Sequence, residues 1–376
     1  MKYFIENIDF EGDKTIWGVF FILSLFSLLV VFSTAGWLFL FKHLIKLVIG
    51  LFCMYITHKI KFKYFSKLGQ LAYFLSIGFL LLVFVIGVSI NGASRWLTIA
   101  GLQFQPSDIA KLAILLYLAR QLSKQRKYLH SFKYLFWYVL GPLILITILI
   151  LPNNFSTSAL VFLNGLVLMF VAKIRFKFIF LILGVSAFVL CLIYFGGKHT
   201  KFGSDIMPRS KTWVSRVDAF LFEKESNKQT KDFQQIQALV AIQNGGLKGV
   251  GPGKSIQRNV LPYSSSDFIY AIIIEEYGVI GGISVVVAYL ILLFRSIRIS
   301  FKVESLFANL VTIGLMFSLV FQALINMLVS VSILPVTGQT LPLISMGGTS
   351  IVFTCISLGI ILSISRDSTD REYEKA

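Results

Sequence analysis

Acidic residues, cysteines and histidines are scarce in this 376-residue chain, and each scarcity argues against certain kinds of functional site. Asp and Glu number only 18 against 35 Lys and Arg, a formal net charge of +17. The three cysteines, Cys53, Cys191 and Cys355, are widely spaced inside apolar runs, so the sequence predicts neither a disulfide framework nor a zinc site. The four histidines are equally scattered, and no structural metal is predicted.

Long hydrophobic runs dominate what is present, since 56% of the residues are hydrophobic and only 14% are charged. Most runs approach the ~20 residues that cross a bilayer as a helix. They lie at roughly residues 16–35, 43–58, 68–89, 107–119, 135–152, 157–172, 176–195, 267–294, 306–332 and 345–365. The sequence therefore predicts an all-α integral membrane protein, a single domain over residues 1–376 with about ten transmembrane helices.

Basic residues concentrate in alternate short loops, which predicts the orientation of the chain. They fill the second, fourth, sixth and eighth connections, and the other short loops carry few of them. By the positive-inside rule, both termini, including the tail at 366–376, are cytoplasmic. A removable signal peptide is not expected, because no small-residue cleavage site follows the first run. The excess of basic residues is then explained by the orientation of the chain in the membrane and by contact with the inner leaflet, and no nucleic-acid partner is predicted.

One connection, residues 196–266 between the seventh and eighth runs, is too long for a simple turn and is extracytoplasmic on this count. Its aromatic residues and the amphipathic spacing near 235–243 predict short interfacial helices. The glycine-rich stretch GVGPGKS inside it is not a P-loop, because Lys248 stands where the first glycine is required. Lys254 and Arg258 could contact phosphate oxygens there, but a flexible turn with solvated lysines explains the stretch equally well.

Asp267 follows this loop, at the point where the eighth run meets water. Glu275 and Glu276 lie a few turns further on, and charges in such a run are costly to hold without a reason. We interpret that reason as chemistry on a lipid-linked substrate. The alternative for Ser266 and Asp267 is a helix N-cap, a common position for both residue types.

Four clusters on the outer face form a specific pattern. They are NGASRWLTIAGLQFQPSDIAKLAI at 91–114, NGGLKGVGPGKSIQRNVLP at 244–262, SDFIYAIIIEEYGVIGG at 266–282 and PVTGQTLPLISMGGTS at 335–350. In content and order they resemble the SEDS family of polytopic cell-wall glycosyltransferases, the group that contains FtsW of division, RodA of elongation and SpoVE. The likeness extends over essentially all ten runs.

The resemblance implies a peptidoglycan glycosyltransferase of the bacterial cytoplasmic membrane that polymerises lipid II at the outer leaflet. Asp267 matches the family's catalytic carboxylate, with Ser266 beside it. As a general base it would take the proton of the acceptor sugar's hydroxyl while undecaprenyl diphosphate leaves the donor. The implied partners are lipid II, a class B penicillin-binding transpeptidase and other division proteins. Cell division is favoured over the shape-determining role of elongation by the similarity of residues 12–33 and 153–160 to division-type members.

Four cations are candidates for stabilising the diphosphate that leaves: Arg95, Lys111, Lys254 and Arg258. No cofactor is assigned apart from Mg²⁺ that the substrate diphosphate could carry. Lys111 lies one turn from Asp108, and an ion pair with Glu275 or Glu276 would offset the cost of burying charge. Such a pair could fix helix packing or could act in diphosphate binding, and the sequence favours neither.

Two departures from the family pattern limit what is carried over. Asp108 stands where the family usually has Glu, and its shorter reach weakens a transferred role. The stretch Pro152–Asn153–Asn154 replaces the usual Pro-Asp-x-Gly-Thr, so an acidic side chain is missing after the fifth run. A neutral Asn153 oxygen makes a cation role at this position doubtful.

Residues 335–350 carry two prolines and three glycines between two apolar runs, which predicts a folded, re-entrant segment instead of a continuous helix. Two further functions fit the composition: a lipid II flippase or other transporter, and a non-catalytic membrane scaffold. The enzyme is favoured because the polar clusters gather at one face instead of the membrane midplane.

Overall fold

A computed structural model describes residues 11–90, 93–99, 102–199, 214, 218, 233–262 and 264–375. The helices are α1 Lys14–Lys59, α2 Phe65–Ile86, α3 Pro106–Lys124, α4 Phe132–Ile150, α5 Phe155–Val171, α6 Phe176–His199, α7 Phe233–Gly245, α8 Ile269–Lys302, α9 Leu306–Ser330 and α10 Ser350–Lys375. Three short strands, β1 Val88–Ile90, β2 Ala93–Ile99 and β3 Leu102–Phe104, form an antiparallel sheet in that order. The all-α prediction is confirmed apart from this small sheet.

The longest helix, α1, is a hairpin of two antiparallel spans. Its 46 residues would measure ~69 Å if straight, about twice the hydrocarbon thickness of a bilayer. Gly36 instead adopts φ 76°, and the chain reverses there. Lys59 Nζ therefore lies 3.3 Å from Glu11 Oε1, and Ser27 Oγ lies 2.6 Å from His43 Nε2. The first two predicted spans are thus the two arms of one hairpin, and helix continues through the predicted connection.

Helix α8 has a similar break. Gly278 adopts φ 69° and divides the helix into a short arm, residues 269–277, and a long arm, residues 279–302. A side chain added at Gly282 would come within 2.9 Å of Ile274 Cγ1, a contact that eight residues of straight helix would not allow. The long arm is ~36 Å in length and can cross a bilayer without the short one.

Helix α9 lies at the centre of the bundle. It packs against α3, α5, α8 and α10, and most of its side chains are buried. Helix α10 packs along both arms of α1, and α2 packs along α3. Helix α6 contacts mainly α5 and leaves most of its apolar surface exposed, as expected for a lipid-facing span.

The segment between α9 and α10 turns back into the bundle, as its glycines and prolines predicted. Ser27 Oγ, nine residues along α1 from the bend at Gly36, donates a hydrogen bond of 2.8 Å to the Ile344 carbonyl. Tyr289 Oη donates to the Pro342 carbonyl from the long arm of α8. Leu343, with φ 66°, is fully buried. Residues 335–349, hereafter the re-entrant segment, therefore line the protein interior at membrane depth.

By length and composition, seven helices of the described residues could cross a membrane. The bend in α1 makes one of them two spans. Helix α3 carries Asp108 and Lys111, and α5 has only 17 residues, so the number ten itself stays a prediction. In the large loop, the interfacial helix expected near 235–243 is α7. The aromatic residues predicted to pack at 213, 220 and 222 lie outside the described residues.

Candidate functional site

Charged residues cluster at both ends of the bundle, and at the end that we call the inner end the described residues include several ion pairs. This inner end contains the start of α1, the connection at residues 58–62 and the last turns of α8 and α10. Arg295 Nη2 lies 2.5 Å from Asp13 Oδ2, and the Asp13 side chain is only 5% exposed. Arg366 binds Asp367 at 2.7 Å and approaches Glu11 at 3.7 Å. These pairs bring the two ends of the chain to one side of the molecule.

The opposite, outer end holds Asp267. The bend at Gly36, the loop before α8 and the re-entrant segment all lie there. Asp267 is half-buried and precedes α8, whose first residue is Ile269. The N-cap position belongs to Phe268, so the structure does not support the N-cap alternative for Ser266 and Asp267.

The backbone around Asp267 is clamped by amide and hydroxyl groups. Asn326 Nδ2, on α9, donates to the carbonyl oxygens of both Asp267 and Gln339 at 2.7 Å. Ser345 Oγ donates to the Ser266 carbonyl at 2.5 Å, and Gln339 Nε2 donates to the Thr157 hydroxyl of α5 at 3.0 Å. Gly338 of the same segment lies beside the carboxylate, since a Cβ added there would come 3.6 Å from Asp267 Oδ2. The re-entrant segment and α9 thus hold the backbone of the residue predicted to be catalytic.

Lys111 and Asp108, one turn apart on α3, border the same segment. Lys111 Nζ donates to Gln322 Oε1 at 2.6 Å, and Gln322 Nε2 donates to the Thr340 carbonyl at 2.9 Å. Thr349 Oγ1 lies 3.4 Å from Asp108 Oδ2. A small cleft between α3, α9 and α10 is lined by Asp108, Lys111 and Gln322. Gln322 and Asn326 are four residues apart on α9, so one helix face joins the lysine group to the Asp267 clamp.

Glu275 and Glu276 support the glycine-rich loop, residues 246–262, and do not pair with Lys111. The buried Glu275 carboxylate accepts from the Ser255 hydroxyl and from the backbone N–H of Ile256 at 3.3 Å. Glu276 Oε1 accepts from the Ser33 hydroxyl on α1. The expected ion pair with Lys111 does not occur among the described residues: the loop binds Glu275, Ser33 of α1 binds Glu276, and Lys111 donates to Gln322.

Glycines let this loop lie directly on the short arm of α8. Val250 N donates to the Glu275 carbonyl at 2.9 Å, and Gly251 N donates to the Glu276 carbonyl at 3.0 Å. At Gly249, φ is 80° and an added Cβ would lie 2.2 Å from the Glu276 carbonyl oxygen. Only a residue without a Cβ fits, so close approach of the loop backbone to α8 explains the glycine.

The four candidate cations lie in different places on the outer end. Arg95 Nε donates to the Asn153 carbonyl at 2.7 Å, beside a small cleft at the ends of α3 and α4. Arg258 Nη1 donates to the Ser33 carbonyl at 2.7 Å, and Lys254 is exposed on the glycine-rich loop. Lys111 belongs to the deeper group on α3. A single diphosphate site is therefore not preformed from all four.

The stretch that departs from the family pattern has a structural role here. Asn154 caps α5, because its side chain accepts from Thr157 N at 3.2 Å, and Asn153 offers its carbonyl to Arg95. All three cysteines are free thiols. No group of three His, Cys, Asp or Glu side chains suited to a metal ion occurs in the part of the chain that the structure describes.

Several polar residues of the outer end escaped sequence reasoning. They are Ser33, Ser255, Gln322, Asn326 and Gln339. Each sits in a stretch analysed for another reason: an apolar span, a glycine-rich loop or a proline-rich turn. A usable signal existed for two of them, since the amides four residues apart in an otherwise apolar run mark one polar helix face.

Comparison with known proteins places this geometry in context. Residues 12–370 match the FtsW/RodA/SpoVE family, described as cell cycle proteins. The chain is 31% identical to stage V sporulation protein E of Bacillus subtilis over 326 residues, 85% of each protein. It is 29% identical to a probable peptidoglycan glycosyltransferase FtsW of Geobacter sp. strain M18, over 92% of this chain and 94% of that one.

Solved structures share the fold. A chain from a peptidoglycan synthase complex, described as coordinating polymerization and crosslinking, superposes with a TM-score of 0.78 at 23% identity, covering 96% of this chain and 99% of the other. The rod shape determining protein RodA of Thermus thermophilus gives 0.69 at 24% identity, covering 95% and 97%. At these identities the likeness concerns the fold alone.

Proposed function

The chain belongs to the FtsW/RodA/SpoVE family of cell cycle proteins, and on that premise we propose that it is a peptidoglycan glycosyltransferase that polymerises lipid II. The observation that carries the proposal is the clamp on Asp267. The backbone that carries its half-buried side chain is held at one end of a multi-pass membrane bundle by hydrogen bonds from α9 and the re-entrant segment to the carbonyls of Asp267 and Ser266. The same position matches the catalytic carboxylate that the family resemblance implies.

The proposed reaction joins two lipid-linked disaccharides. The 4-hydroxyl of the acceptor's GlcNAc attacks the anomeric carbon of the donor's MurNAc, and Asp267 takes the hydroxyl proton as the new glycosidic bond forms. The bond between the anomeric carbon and the donor diphosphate breaks, and undecaprenyl diphosphate leaves with the electron pair. Nearby cations, with Arg258 and Lys111 as candidates, would stabilise the negative charge of that leaving group.

The outer end is extracytoplasmic in this proposal, and the ion-paired inner end faces the cytoplasm of a bacterial cell. The positive-inside pattern supports this orientation, since Lys59, Arg295 and Arg366 are all at the inner end. A lipid-linked substrate would keep its polyprenyl chain in the bilayer while its sugars reach Asp267. The proposed partners are a class B transpeptidase, which would crosslink the strands, and other division proteins.

Polymerisation by purified protein tests the proposal. The protein is reconstituted in detergent with its class B transpeptidase and labelled lipid II, so that no membrane separates two compartments. Glycan strands should form with the wild type and should fall to background with Asp267→Ala. A matched control is Asp367→Asn at the inner end, which should polymerise at the wild-type rate. Strand synthesis that is indifferent to Asp267 would refute the assignment.

A lipid II flippase is the rival function, and the buried Asp108 and half-buried Lys111 on α3 are the observation that favours it. Transport needs two compartments and no new covalent bond. Protein that moves labelled lipid II across vesicle membranes, yet forms no strands in detergent with its partner, would be a transporter. Strands formed in detergent identify an enzyme.

A further inference from the structure

A cleft of about 590 Å³ lies between the bend of α1 and the glycine-rich loop, apart from the clamp on Asp267. Its walls differ in chemistry. Leu29, Phe32 and Trp37 form an apolar side, and Arg258 and Asn259 form a polar one. The volume is in the range of sites that hold small ligands. Asp267 does not line this cleft, whereas Arg258, a candidate cation for the leaving diphosphate, does.

The guanidinium of Arg258 is the charge that the cleft presents. It donates one hydrogen bond, from Nη1 to the Ser33 carbonyl, which fixes its position at the rim. A guanidinium has five N–H donors, and the described residues accept from only this one. Glu276 lies beneath it, but that carboxylate is 1% exposed and is bonded to Ser33. The cleft therefore offers a held, positively charged donor group to an anion, and phosphate oxygens match it in geometry.

The apolar side of the cleft is exposed at the expected boundary between the membrane and water. Trp37 is 75% exposed and Phe32 and Leu29 are 40% and 53% exposed, all within a few residues of the bend at Gly36. That bend ends the first span, so these side chains lie at the outer boundary of the membrane, where tryptophan is favoured. A ligand with an anionic head and an apolar tail satisfies both walls at once.

The cleft is also connected to the catalytic loop. Ser264 Oγ donates to the Arg258 carbonyl at 3.1 Å, three residues before Asp267. Arg258 N in turn donates to Ser255 Oγ at 3.1 Å, and that hydroxyl donates to Glu275. The cation of the cleft and the carboxylate of the site are therefore held by one hydrogen-bonded loop.

We propose that this cleft binds the diphosphate end of a polyprenyl lipid, with Arg258 contacting phosphate oxygens and Phe32 and Trp37 packing on the first isoprene units. The identity of the lipid rests on the proposed function, in which every substrate and the lipid product carry that group. A lipid bound in this way would have its diphosphate in the cleft and its tail in the bilayer. An ordinary anionic phospholipid is the competing occupant.

Binding measured without turnover tests the inference. Protein carrying Asp267→Asn is placed in nanodiscs of neutral phosphatidylcholine and titrated with undecaprenyl diphosphate, and occupancy is read by native mass spectrometry. Arg258→Gln should weaken binding ~10-fold or more, the effect of losing hydrogen bonds to a charged group. Asn259→Trp, which keeps the guanidinium and fills the cleft from an exposed position, should weaken it as well. Arg298→Gln, the same charge change at the inner end, should leave binding unchanged.

Two results would overturn the inference. One is affinity for undecaprenyl diphosphate that neither Arg258→Gln nor Asn259→Trp reduces. The other is phosphatidylglycerol displacing undecaprenyl diphosphate at equal concentration, which would assign the cleft to bulk lipid. Because no catalysis is required, failure of polymerisation by the wild type would refute the proposed function and leave the binding result standing.

Discussion

Charged side chains have different kinds of partner at the two ends of the bundle. At the inner end, carboxylates meet cations directly, as Asp13 meets Arg295. At the outer end, Glu275, Glu276 and Lys111 meet hydroxyls, backbone N–H groups and an amide. Paired charges close a structure, whereas charges held by neutral groups keep their field for a ligand. Under the proposed function, the inner end is a structural clasp and the outer end handles the substrate.

The largest stability effect should come from breaking the clasp. Arg295→Ala leaves the buried Asp13 carboxylate without its cation, which should cost about 3–5 kcal/mol. Thermal unfolding of the purified protein would measure it. The control is Lys59→Ala, because the Lys59–Glu11 pair is well exposed and should contribute about 0–1 kcal/mol. Equal losses of stability from the two variants would mean that the buried Asp13–Arg295 pair contributes no more than an exposed pair.

Two glycines of the glycine-rich loop test how closely this loop packs on α8. Gly249→Ala combines positive φ with a Cβ 2.2 Å from a carbonyl oxygen, so we expect about 3 kcal/mol of destabilisation, or displacement of the loop. Gly253→Ala has the same positive φ but open space around it, and should cost about 1 kcal/mol. Unfolding temperatures of the two variants would separate steric approach from conformational preference. Matching losses would mean that the loop does not pack tightly on α8.

Two asparagines on α9 compare the ends directly. Asn326→Leu removes the donor that holds Asp267 and Gln339, and the polymerisation rate should fall ~10-fold or more because misplaced catalytic groups are costly. Asn309→Leu removes a bond of 3.1 Å to the Ser300 carbonyl near the inner end. It should cost about 1 kcal/mol of stability and leave the rate within twofold. If the Asn309 variant lost as much activity, the clamp would have no specific role.

The smallest effect is expected for Glu276→Gln. The amide retains an oxygen that can accept from the Ser33 hydroxyl, so the stability cost should be only about 1 kcal/mol. Thermal unfolding beside Arg295→Ala provides the comparison. A loss as large as that of Arg295→Ala would mean that the outer end also depends on fixed charge for its stability.

Much of the fold followed from the sequence, because apolar runs and basic loops report directly on a membrane environment. The family prediction is confirmed by a match over residues 12–370. The break at Gly278 was missed, and the reversal predicted between the first two runs was not placed at Gly36, because one glycine with positive φ leaves no mark in a hydropathy pattern. The small sheet at 88–104 was also missed, since its two outer strands of three residues are too short for a periodic signal and its central strand was read as part of a loop motif.

The candidate site was predictable in its charged members and not in their partners. Asp267 lies at the outer end beside the re-entrant segment, as the order of motifs suggested. The partner proposed for Glu275 was wrong, because Ser255 and the loop backbone reach it through a fold contact that sequence spacing cannot reveal. Asn326 was missed for the same reason, since its acceptors belong to segments far from it in the chain.

The most direct test of the division between the two ends is the polymerisation rate of Asp267→Asn, measured with the transpeptidase partner on protein whose unfolding temperature equals that of the wild type. We predict a loss of at least ~10²-fold, the contribution of a positioned general base. A rate within twofold of the wild type, from protein of unchanged stability, would contradict the account.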